Sequence, residues 1–154
     1  MSPAGEQAEP AFEYFDVEAD VGVTGRGPTL AEAFAQTALG MFALLVSLDR
    51  VEHREVREVR AHGDTLESLL VNWLNECLYV HDVEGFVASA VEFAAFDGSP
   101  RVGGEPFRLH AFLRGEEVDP ARHQPGTLVK AATLHGLSVQ ARPGGFETRV
   151  ILDV

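Results

Sequence analysis

The chain is most informative first through what it lacks. One cysteine, Cys77, stands among 154 residues, so no disulfide can form within the chain and no cysteine-rich zinc site is available. No uncharged apolar run reaches the roughly 18–20 residues needed to span a bilayer. The opening stretch, Met1 to Ala11, is small and polar and lacks the apolar segment of a signal peptide. Positive charge is scarce as well: Lys plus Arg number 12 against 24 Asp plus Glu, for a net charge of -12. Gripping a nucleic-acid backbone takes clustered Lys and Arg, so strong direct binding to nucleic acid is not expected. There is no P-loop, no Gly-x-Gly-x-x-Gly, no Gly-x-Ser-x-Gly elbow and no His-x-x-x-His, which removes the usual signatures of nucleotide, esterase and zincin chemistry. A soluble cytoplasmic protein with no membrane partner is the expectation.

What remains is ordinary for a folded domain, with 45% hydrophobic and 23% charged residues. Residues 1–11 read as a disordered lead and 12–154 as one domain. From Phe12 to Val23 apolar and acidic residues alternate with the period of a half-buried strand, or of two strand pieces with a bend between them. Gly25-Arg26-Gly27-Pro28 reads as a turn. Thr29-x-x-Glu32 has the form of a capping box. It opens a helix whose stripe runs through Leu30, Phe34, Ala38, Met41, Phe42 and Leu45. Val51–Ala61 reads as an edge strand. A second box, Asp64-x-x-Glu67, opens a helix with Leu69, Leu70, Trp73, Leu74, Cys77 and Leu78 on its apolar face and Gly85 beyond its exit. Strands are predicted at Phe86–Phe96, Phe107–Arg114 and Leu128–Thr133. A hairpin of Leu137–Arg142 with Phe146–Leu152 turns at Pro143-Gly144-Gly145. The order implies an α+β fold, a mixed or antiparallel β-sheet with two main helices packed on one face.

Candidate chemistry lies mainly in the carboxylates. Cys77, on the apolar stripe, reads as a buried structural thiol, and the six histidines are scattered. If Phe12–Val21 is extended, Asp16, Glu18 and Asp20 share a side, successive ones about 7 Å apart. A cation or a basic partner would relieve their repulsion, and a solvated acidic face is the alternative. The last strand, Val150 to Val154, adds the Asp153 side chain and the Val154 carboxyl. Chain ends often fray, but here an apolar strand leads directly into them. Oxygen donors of this kind suit Ca²⁺ or Mg²⁺, and Mn²⁺ less exclusively. Among 12 basic residues Lys130 is the single lysine. It is a candidate for contact with phosphate or with an acidic group of a partner. His135 follows five residues on, and a bend at Gly136 would keep both near one sheet end.

Several stretches, taken in order, resemble the archease family. They are Ala19-Asp20-Val21-Gly22-Val23, the helix from Asp64 through Trp73-Leu74-Asn75-Glu76 to Tyr79, Asp119-Pro120-x-Arg122-His123, Val129-Lys130-Ala131-Ala132-Thr133-x-His135-Gly136-Leu137, and the terminal Val150–Val154. The resemblance covers about residues 12–154. It implies an accessory protein with no catalytic residues and no nucleotide cofactor of its own. Its partner would be an RtcB-type RNA ligase, which it activates by promoting guanylylation of the ligase histidine and multiple turnover in tRNA splicing and RNA repair. It also implies a bound divalent metal, most often calcium, held by Asp20, Asp153 and Val154. The family usually writes Asp-His-Thr-Ala-Asp where this chain has Asp16-Val17-Glu18-Ala19-Asp20. Val17 can neither ligate a metal nor transfer a proton. Two other classes of function stand beside this one: a metal-dependent phosphoesterase using the same carboxylates, and an acidic interaction or chaperone-like module without a metal.

Overall fold

The computed structural model describes residues 9–99 and 106–154. Within them the α+β class holds, and the strands divide between two antiparallel sheets where one was expected. The first has the order β1-β2-β7-β6, from Phe12–Val17 (β1), Asp20–Gly27 (β2), Ala131–Arg142 (β6) and Gly145–Asp153 (β7). The second has the order β3-β5-β4, from Glu55–Gly63 (β3), Phe86–Asp97 (β4) and Phe107–Glu117 (β5). Helices α1 (Leu30–Leu45) and α2 (Leu66–Glu84) lie between the sheets: α1 packs on β2, β7 and β4, and α2 on β3 and β6. A short α3, Pro120–His123, follows β5.

The layering explains why both helices are apolar around much of their circumference: each has a sheet on either side. Phe34, Met41 and Phe42 of α1 and Leu70, Trp73, Leu74 and Cys77 of α2 are fully buried. They meet Val23, Val150 and Leu152 of the first sheet and Leu109, Ala111 and Leu113 of the second in one core. The indole of Trp73 donates to the Phe34 carbonyl at 3.0 Å, joining the helices. Burial pushes the Cys77 thiol well above its ordinary pKa, with Glu76 adding to the effect, as a structural thiol requires. No helix of the described residues is long and apolar enough to cross a membrane.

Local signals carried over unevenly. Thr29 caps α1, accepting from the Glu32 amide at 3.1 Å. The second cap falls one residue later than predicted: Thr65 and Ser68, not Asp64 and Glu67, form the reciprocal box. Gly25 to Gly27 continue β2, so the predicted turn is displaced to Pro28-Thr29. The strands expected at 128–133 and 137–142 are one strand, β6, interrupted by a bulge. Of the lead, residues 1–8 lie outside the described residues. Glu9 pairs with Arg142 at 2.8 Å and Arg26 at 2.9 Å, and the Ala11 carbonyl accepts from the Arg26 amide.

Candidate metal centre

The N-terminal acidic stretch is a hairpin. β1 and β2 pair with Val17 opposite Asp20 and Asp16 opposite Val21, leaving Glu18-Ala19 as a two-residue loop. Asp16, Glu18 and Asp20 therefore do not line one side of a continuous strand, as extension would have required. Glu18 occupies the loop at φ 33°. Asp16 falls on the opposite face from Asp20, since facing residues share a side and alternate ones do not.

The two predicted aspartates are nevertheless brought together. β2 pairs with β7 through Val21 opposite Leu152, so Asp20 and Asp153 are the next residues along on neighbouring strands. β6 continues the row, with Ala131 opposite Asp153. One cross-strand row thus reads Val17, Asp20, Asp153, Ala131, on the face turned away from the helices. Facing Cβ atoms in such a row lie about 4.5–5.5 Å apart, and like charges so placed destabilise a sheet. Neither carboxylate makes a hydrogen bond or ion pair to another described side chain. No side chain among the described residues offsets their repulsion, and the donor set is oxygen only, which fits a hard divalent cation. Val154 follows directly and packs its side chain against the core. Among the described residues no three His, Cys, Asp or Glu side chains gather as a metal cage. A site here would hold two side-chain carboxylates with further donors from the backbone or terminus.

Neighbouring elements fix this row. The Lys130 amide donates to the Asp153 carbonyl at 2.7 Å. The Asn75 side chain pairs with both the amide and carbonyl of Ala132, at 2.9 and 3.3 Å, acting as a strand on the open edge of β6. Gly22, behind Asp20 in the motif, leaves room for the Phe15 ring, where a Cβ would stand 2.1 Å from ring carbons. Arg149 covers the same ring at 4.2 Å. Lys130 is exposed. Gly136 does bend the chain, with φ 68° and no room for a side chain beside Ile151. His135 is exposed in that bulge, separated from Lys130 by the paired residues Ala131–Thr133.

Sequence reasoning missed Glu116. Its carboxylate is 3% exposed and takes two hydrogen bonds from Arg122, at 2.7 and 2.8 Å, and one from the Glu52 amide at 2.7 Å. The Asp119 amide donates to Nδ1 of buried His123, so Nε2 carries the proton and donates to Glu116 at 3.1 Å. Arg122, first among these donors, holds the Glu116 carboxyl far below the usual range. The motif Asp119-Pro120-x-Arg122-His123 is therefore a structural lock. It orders the segment that goes on to cap α1, through the Gly126 and Thr127 amides on the Leu45 and Leu44 carbonyls, and then delivers Lys130. Nothing in the sequence spacing singled out Glu116 from 24 acidic residues.

Comparison with known proteins agrees with this layout. The family model described as the archease protein family matches residues 12–154. Protein archease of Pyrococcus abyssi is 39% identical over 134 residues, covering 87% of this chain and 91% of that protein. The archease-like protein of Drosophila melanogaster is 35% identical over 149 residues, covering 95% and 92%. The solution structure of Methanobacterium thermoautotrophicum protein 1598 superposes with a TM-score of 0.76 at 32% identity, covering 94% and 99% of the two chains. The crystal structure of a Thermotoga maritima archease, described as a possible chaperone, shares the fold with a TM-score of 0.55 at 17% identity, covering 96% and 98%. With the motifs, the fold and the full span of the domain in agreement, the chain belongs to the archease family.

Proposed function

We propose that this protein is a metal-binding accessory protein of an RtcB-type RNA ligase, without catalytic activity of its own. It acts in the cytoplasm to promote ligase guanylylation and multiple turnover in tRNA splicing and RNA repair. The observation that carries the reading is the facing pair Asp20 and Asp153 at one end of the first sheet, with no compensating side chain among the described residues. Their carboxylates, with the Val154 carboxyl, would hold calcium, or magnesium or manganese in its place. A divalent cation there would supply charge neutralisation at nucleotide phosphates and orient a leaving pyrophosphate. The chain's own share is positional: the Lys130 amide and the β2–β7–β6 ladder hold Asp153 opposite Asp20.

Val17 and Ala131 flank the pair in its row. They bring no proton-transferring group to it, which disfavours an independent phosphoesterase. The test is single-turnover guanylylation of the cognate ligase with the wild-type protein and with a variant lacking Asp153 and Val154, the C-terminus being free in the wild type. Stimulation by the wild type that disappears on truncation is the expected result. Stimulation that survives truncation removes the metal site and keeps the partnership. If the wild type gives none, an interaction module without a ligase role takes its place.

A further inference from the structure

The second sheet has an open face on the other side of the molecule's core, and its charge is unlike that of the chain as a whole. Val59, Ala61, Leu109, Ala111 and Leu113 point inward and are buried, so the alternate residues of β3 and β5 point out. Two successive rows there pair Arg60 with His110 and His62 with Arg108. These four side chains, with Ala95 and Pro106, line an open cavity of about 530 Å³. In a chain with 12 basic residues and a net charge of -12, two guanidiniums and two imidazoles on adjacent rows form a marked local reversal.

The donors in this cavity are also underused. Arg108 makes no ion pair or side-chain hydrogen bond to a described residue. Nε2 of His110 is shielded from solvent yet has no hydrogen-bond partner. It faces Glu58, whose nearest carboxylate oxygen is 3.5 Å away, a long contact for a hydrogen bond. Its ring rests against Phe112, with centroids 5.1 Å apart. Among the described residues the carboxylates on this face are Glu58, which pairs with Arg60 at 3.2 Å, Glu92, which pairs with Arg114 at 3.2 Å, and Asp97, opposite Arg108 in register. None of them lines the cavity.

We infer that this cavity is a binding site for a phosphate group carried on an organic moiety of nucleotide size. Arg60 and Arg108 offer planar N–H pairs to oxyanions, and the imidazole of His62 lines the same cavity. Two guanidiniums lining one cavity suit an anion with three terminal oxygens better than a single carboxylate. The cavity is larger than a bare phosphate needs and falls in the range of small-molecule sites. Ala95 and Pro106 give it an apolar wall for the rest of the ligand. This site is independent of the aspartate pair and of the ligase partnership.

The test uses the imidazole ¹⁵N resonances of the full chain, titrated with adenosine 5′-monophosphate, inorganic phosphate and adenosine at matched ionic strength. Saturable shifts of His110 and His62 with the monophosphate, and none with adenosine, are expected. Arg108→Gln, exposed in the structure, should weaken binding at least tenfold with an unchanged circular dichroism spectrum. A 5′-phosphorylated hexaribonucleotide that binds more tightly than the mononucleotide would identify an RNA end as the source of the phosphate. Tighter binding of the mononucleotide would identify a free nucleotide. No saturable shift with any phosphate compound, or full affinity in Arg108→Gln, overturns the site.

Discussion

Two groups of carboxylates in this protein are arranged in opposite ways. Glu116 is buried, and its oxygens are taken by Arg122, His123 and the Glu52 amide. Asp20 and Asp153 stand on neighbouring strands with hydrophobic flanks and, among the described residues, no cationic side chain paired to them. The first arrangement stabilises the fold through its own charges. The second leaves repulsion for something else to remove. A carboxylate held by several donors is doing structural duty whatever motif surrounds it, whereas a facing pair without donors is a place to look for a ligand.

The comparison breaks most visibly at Glu116. Glu116→Ala leaves Arg122, the His123 Nε2–H and the Glu52 amide without their acceptor. Breaking a buried pair in this way costs on the order of 3–5 kcal/mol, to be read from the midpoint of urea unfolding. The same residue predicts a pH dependence. Its carboxyl lies far below the ordinary value of 4.5 when folded, so the unfolded chain takes up the proton first. The stabilisation is complete above about pH 4.5 and falls as the pH is lowered toward the folded value. Glu116→Gln should flatten the acid limb of stability against pH, and an unchanged slope would show that other carboxylates govern it.

At the aspartate pair the expected signs are reversed. Asp153→Asn and Asp20→Asn should each stabilise the metal-free protein by a few tenths of a kcal/mol up to about 1 kcal/mol, as facing like charges are removed. Each should also weaken divalent-cation binding at least tenfold. Thermal unfolding with and without calcium reads both effects at once. Val17→His sharpens the comparison further by adding a nitrogen donor beside Asp20. It should raise affinity for manganese relative to calcium, because imidazole suits transition metals better than alkaline-earth ions. An effect on stability alone is expected in the hairpin loop. Glu18 sits at φ 33°, where a side chain is strained, so Glu18→Gly should add about 0.5–1 kcal/mol of stability.

The elements with strong local signals were legible from the residues. The apolar stripes located both helices, and Pro143-Gly144-Gly145 located the β6–β7 turn. Two sheets in place of one could not be read from periodicity, which says that a strand has a buried face and not which strand it pairs with. The strand pieces around Gly136 looked separate because a bulge interrupts the alternation without ending the strand. At the site, Asp20 and Asp153 were candidates from the residues alone and were joined into one ligand set by the resemblance, and their opposition is a matter of β2–β7 register. The clustering expected of Asp16, Glu18 and Asp20 failed because the chain reverses at Glu18-Ala19. Glu116 stayed hidden because its partners come from the Glu52 backbone and from residues six and seven positions on, with no periodic spacing among them.

The most direct measurement is calorimetric titration of the metal-free protein with calcium, repeated on Asp20→Asn and Asp153→Asn. One saturable site in the wild type, lost or weakened at least tenfold in both variants while each remains folded, is the predicted result. Calcium binding of wild-type strength in either variant would contradict the assignment of the cation to the facing aspartates.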